Sequence, residues 1–185
     1  MRQGQGSATG GVPIGRYIGI PILFVAVIIQ STIMPVVQVA GGKPDLVFLI
    51  VLSWMMLAGL EEGLFWAIVG GVLQDIATGT PTGTTALALV VVAGLEHFIL
   101  GPIGRDNLVL PPVVAVLGTI FYLGFLGIVL AVLGRLSVLT GPADIGYVLT
   151  TILLPTLIFN LILILPIFRV LGFAFAWTRP RRVSL

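Results

Sequence analysis

From Tyr17 to Trp177 the chain is a succession of long apolar runs, broken by short turns rich in Gly, Pro and Thr, with its charges gathered near the run ends. Of 185 residues, 58% are hydrophobic and 9% are charged. A soluble domain carries roughly 25% charged residues, and so few charges cannot cover a water-exposed surface of this size. The runs are therefore read as membrane spans. Each crossing takes about 20 residues, so the length accommodates one domain of about six spans.

The turns divide the chain as follows. Span one covers Tyr17 to Val39, and Gly41-Gly42-Lys43-Pro44 ends it, because two glycines and a proline do not continue a helix cheaply. Span two covers Asp45 to Leu57 and span three Glu62 to Ile76, joined by a Gly-Leu-Glu-Glu-Gly corner. Both are short for lipid-exposed spans, so thinned bilayer or neighbouring protein must cover their ends. Span four covers Thr84 to Leu100, span five Leu108 to Leu133 and span six Ile145 to Trp177. Span six is longer than a bilayer is thick, so Pro155 and Pro166 are expected to kink it, or its start to lie along the interface. Residues 1–16 read as a disordered cytoplasmic tail and 178–185 as a basic cytoplasmic tail, flanking a membrane domain over 17–177. The N-terminus lacks the short apolar stretch and cleavage site of a signal peptide.

With six spans, Arg2, Arg16, Arg105, Arg169, Arg179, Arg181 and Arg182 share one side, against Lys43 and Arg135 on the other. That bias places both termini in the cytoplasm. It sets Glu61 and Glu62 at the inner corner and Asp75 at the outer end of span three. Asp75 and Glu96 then lie at opposite faces, so they do not form a catalytic carboxylate pair.

Each polar residue in a span needs a partner. Asp75 precedes 78-TGTPTG-83 and is expected to cap that turn through Thr78 and Thr80, with contact to a cationic partner or ligand as the alternative. Glu96 is expected to pair with Arg105 or Arg169. Gln30 and Asn160 are expected to hydrogen-bond between helices, or to line a polar pocket between spans one, three and six. Gly59, Gly63, Ala67 and Gly71 form a small-residue face expected to pack inside the bundle, with dimerisation as the alternative, and Gly124, Gly127 and Ala131 form a weaker face.

Chemistry has no visible carrier. The chain has no cysteine and one histidine, His97, so thiolate chemistry is excluded and a histidine-built metal site is implausible. A formal charge of +2 is too small to imply nucleic-acid binding. No phosphate loop, nucleophile elbow or metal-ligand cluster occurs. The expectation is a non-enzyme without catalytic residue, cofactor or metal.

An ordered set of features resembles the rod shape-determining protein MreD family. These are Gln30-Ser31 followed by Pro35, the Pro44-Asp45-Leu46 entry to span two, the corner glycine Gly63, and 70-GGVLQDIATGTPTG-83 with Gly71, Asp75, Pro81 and Gly83. Asn160 and the basic tail also fit. The resemblance is specific from Gln30 to about Ala86; spans four to six match mainly in length and hydropathy. It implies an all-α polytopic membrane protein, a six-helix transmembrane bundle similar to the S components of energy-coupling-factor transporters. It further implies a scaffold subunit of the bacterial elongation machinery in the cytoplasmic membrane. Its partners would be MreC, RodA and its transpeptidase, and indirectly the MreB filament, with membrane lipids around it. The alternative is a substrate-binding S component for a vitamin or other small molecule. The short loops offer little to form a lid over such a ligand, which favours the scaffold.

Overall fold

A computed structural model describes residues 14–39, 41–100, 109–133 and 149–178. The described residues are helical apart from short turns. They form α1 (Ile14–Thr32), α2 (Leu46–Ala58), α3 (Leu60–Thr78), α4 (Thr84–Leu100), α5 (Leu110–Val132), a π-helical turn (Leu149–Leu153) and α6 (Leu154–Thr178). Of the expected tails 1–16 and 178–185, residues 14–16 and Thr178 belong to helices, and the rest, with the loops carrying Arg105 and Arg135, lies outside the described residues.

The organising element is α2. It is apolar on every side, and residues around its whole circumference are buried, including Phe48, Leu49, Leu52, Trp54 and Met55. A helix of that kind is stable only when surrounded, and α2 touches α1, α3, α4, α5 and α6. The single residue Gly59 (φ 98°) reverses the chain from α2 into α3. At this corner end of the bundle, Trp54 packs edge-on against Trp66 (5.4 Å between ring centroids) and against Phe175 of α6 (6.1 Å). The opposite end gathers the start of α2, the α3–α4 turn and the start of α6. It is called the clasp end below.

The outer surface of the bundle is apolar. Phe24, Val25 and Ile28 on α1, Leu117, Ile120 and Ile128 on α5, and Ile162, Val170 and Phe173 on α6 are all exposed. Such continuous apolar cover suits lipid and not water. Two stretches, Leu110–Leu130 and Leu149–Ala176, are individually long and apolar enough to cross a bilayer.

Element boundaries depart from the sequence reading at several points. The first helix ends at Thr32, before Pro35, although apolar residues continue to Val39. Proline disfavours helical geometry in the residue before it and lacks an N–H, so 33–39 turns, and Val39 and Gly42 exchange N–H···O bonds of 3.0 Å. α3 is longer than the expected Glu62–Ile76; at 19 residues it extends about 28 Å. Only α2 stays short, and neighbouring helices enclose it. The expected break near Pro155 takes the form of the π turn before α6, whereas Pro166 lies inside a continuous helix.

Candidate functional site: a polar clasp at one end of the bundle

α2 begins inside the bundle, so its first N–H groups must find partners in protein. Gln30 of α1 uses both ends of its amide: Nε2 donates to the Pro44 carbonyl (3.1 Å), and Oε1 accepts from the Leu46 N–H (2.8 Å). Asn160 of α6 accepts from the Asp45 N–H through Oδ1 (3.1 Å) and donates through Nδ2 to the Thr119 hydroxyl of α5 (3.0 Å). The Thr119 hydroxyl in turn donates to the Ala115 carbonyl (2.6 Å). Asp45 is the N-cap of α2 and accepts from the Phe48 N–H at 3.1 Å. Tyr122 of α5, stacked on Phe48 at 5.0 Å, and Gln74 of α3 also bring polar groups to the Asp45 carboxylate.

Gln30 and Asn160 therefore do bond between elements. They converge on the start of α2. The reason is electrostatic: the exposed N–H groups of a buried helix start are the strongest unmet donors at that depth.

Asp75 performs the same task for α4. Its carboxylate accepts from the Gly83 N–H (2.7 Å), the Thr85 N–H (3.0 and 3.2 Å) and the Thr80 hydroxyl (2.8 Å). Its carbonyl accepts from the N–H groups of Gly79 and Thr80, closing α3 on a left-handed Gly79. One residue thus ends one helix and starts the next. The bond to Thr80 was anticipated; Thr78 instead donates to the Gln74 carbonyl (2.8 Å). Pro81 accepts from the N–H of Thr84 (3.1 Å) and from its hydroxyl (2.7 Å), which holds the turn. Gly83 sits at φ 99°, where a side chain is strained.

The two remaining glycines of the set serve packing. A Cβ on Gly71 meets the backbone of Ala86 in α4, and one on Gly63 meets Met55 of α2 at 2.6 Å. The small-residue face of α3 is therefore used inside the bundle. On α5, Gly118 likewise packs against Phe48 of α2, but two other glycines are different. A Cβ on Gly124 or Gly127 meets nothing within 4 Å.

Beside the clasp is a cavity of about 230 Å³, with Lys43, Asp45, Gln74, Thr85, Tyr122 and Thr156 among its lining residues. Gln74 Oε1 is buried without a hydrogen-bond partner among the described residues. Thr85, Thr119, Tyr122 and Gln74 were not singled out from sequence. The available signal was the spacing of Thr119 and Tyr122, two polar residues three apart in an otherwise apolar span, which puts them on one helix face.

Glu96, near the far end of α4, is 8% exposed, and its Oε2 has no hydrogen-bond partner among the described residues. The expected pair with Arg169 is not formed. Arg169 is exposed on α6, which packs on α2 and α5, and those two helices stand between it and α4. Arg105 lies outside the described residues. Asp75 and Glu96 occupy opposite ends of the bundle, because α3 and α4 are consecutive antiparallel helices joined at Gly79–Gly83. No group of three or more His, Cys, Asp or Glu that could hold a metal occurs among the described residues.

An apolar-coated helical bundle whose buried polar side chains hold helix ends in place is a structural membrane protein by class. The profile of one family, the rod shape-determining protein MreD, matches residues 14–174, and the chain belongs to that family. It is thereby a membrane protein with a role in rod shape determination. Comparison with curated proteins and with solved structures gives no significant match. The likeness to energy-coupling-factor S components implied by the family resemblance is thus not carried by any structural match, and no observation favours the transporter alternative.

Proposed function

We propose that the chain is a multi-pass subunit of the bacterial cytoplasmic membrane, with both termini in the cytoplasm, that docks an MreC-like single-span protein. Through that partner it positions the wall-synthesis enzymes, RodA and its transpeptidase, and couples indirectly to the MreB filament. It performs no covalent chemistry in peptidoglycan synthesis and acts by holding its partners in register.

One observation carries this reading: Gln30, Asp45, Asp75 and Asn160 are all engaged in fixing helix starts. Groups so engaged make a rigid platform. Membership of a rod-shape family supplies the setting in which a rigid membrane platform acts. The disposition of arginines over lysine-poor turns supports the orientation.

The test is co-purification of the detergent-solubilised chain with the MreC protein of the same organism. A stable complex from folded material is the expected result. Folded chain that leaves the partner behind at micromolar concentrations overturns the docking role.

A further inference from the structure

Glu96 is the feature the clasp does not use. It lies in a groove between α4 and α5, with Leu95, Val114, Leu117 and Phe121 around it. The groove is open along one side, and its inner part leaves about 20 Å³, the room of roughly one water molecule. That is too little to hydrate a carboxylate, and a carboxylate in an apolar setting is costly until something pairs with it. Among the described residues none pairs with Oε2, and the groove opens to the outside of the bundle, where a second protein can reach it.

The helix beside it is prepared for a neighbour. Val113, Leu117, Ile120 and Ile128 of α5 are exposed at three-, four- and eight-residue spacing and form one stripe along the helix. Gly124 and Gly127 lie on the same side, and nothing approaches the space a side chain would occupy there. Small residues on an uncovered face allow a second helix backbone to come close. Glu96 sits at the corner end of this stripe, the end shared with the start of α1 and the end of α6.

We propose that the α4–α5 groove seats the single membrane-spanning helix of the partner, and that a Lys or Arg at the cytoplasmic end of that helix pairs with Glu96. This rests on the docking role and the orientation proposed above. A single-span membrane protein gathers its basic residues just inside the membrane, at the cytoplasmic end of its span. A long basic side chain can lie along apolar surface and deliver its charge to a carboxylate at that depth. The charges match, the ends match, and the glycines give the partner's apolar face a place to lie.

The experiment is a charge exchange read by co-purification, with cross-linking as a second readout. Glu96→Lys is expected to lower recovery of the partner at least tenfold, and changing the partner's juxtamembrane basic residue to Glu is expected to restore it. Because the chain has no cysteine, Leu117→Cys can be paired with single cysteines along the partner helix, and a disulfide with helical periodicity is expected. Glu96→Gln, checked for an unchanged unfolding temperature, controls for folding. Undiminished binding by Glu96→Lys overturns the seat. Rescue of Glu96→Lys by Arg105→Glu, with the partner unchanged, also overturns it, since the pair is then internal. If the unsubstituted chain binds no partner, the docking role itself falls. If it binds but neither Glu96→Lys nor Leu117→Cys reports contact, only the seat falls.

Discussion

At the clasp end, Gln30, Asp45, Asp75 and Asn160 are buried and bonded to helix-start N–H groups; at the corner end, Glu96 is as buried as Asp45, and its Oε2 has no such bond among the described residues. Asp75 shows what satisfies an acid in this bundle: two N–H donors and a hydroxyl, all at the positive end of a helix. Glu96 stands near the end of its own helix, where carbonyls and not N–H groups are left over. The difference separates two uses of a buried polar group. One kind is complete within the chain and stabilises it. The other is incomplete alone and becomes complete with a partner.

Substitutions can break or sharpen this contrast. The largest effect is expected for Asp75→Leu. It strands the Gly83 and Thr85 N–H groups at the start of α4, and a loss of about 3–5 kcal/mol should appear as a strongly lowered unfolding temperature in detergent. Asn160→Leu strands the Asp45 N–H and leaves the Thr119 hydroxyl one partner short, at about 2–4 kcal/mol. Gln30→Leu should act similarly. Because both side chains hold the same turn, their double substitution should cost less than the sum, which a double-mutant cycle measures. Gly71→Val forces a side chain against Ala86 and is expected to cost about 1–3 kcal/mol through overpacking. The smallest effect on the isolated chain is expected for Glu96→Leu. Removing an unpaired buried acid should leave the unfolding temperature unchanged or slightly raised, and a fall as large as that of Asn160→Leu would erase the contrast.

Much of the bundle was legible in the sequence where punctuation was strong. α4 runs Thr84–Leu100 as read, because Thr82-Gly83 precedes it and Gly101-Pro102 follows it. Hydropathy overstates the length of α1, since apolar residues continue past Thr32 whereas the helix responds to Pro35. The importance of Asp75 was also visible, since its capping partners follow within ten residues. The clasp was not. Asn160 and Asp45 lie 115 residues apart, and only packing brings them together. Spacing within one helix gives a face, but it does not say which neighbour that face meets. The pair expected between Glu96 and Arg169 failed for the same reason, because α2 and α5 separate α4 from Arg169.

The most direct test measures stability and partner recovery on the same preparations of Asn160→Leu and Glu96→Leu. The account expects Asn160→Leu to unfold at a lower temperature while its folded fraction still carries the partner. It expects Glu96→Leu to keep its unfolding temperature and lose the partner. The reverse pattern, or both properties falling together in both variants, contradicts the division between a clasp that holds the fold and an acid that waits for a second protein.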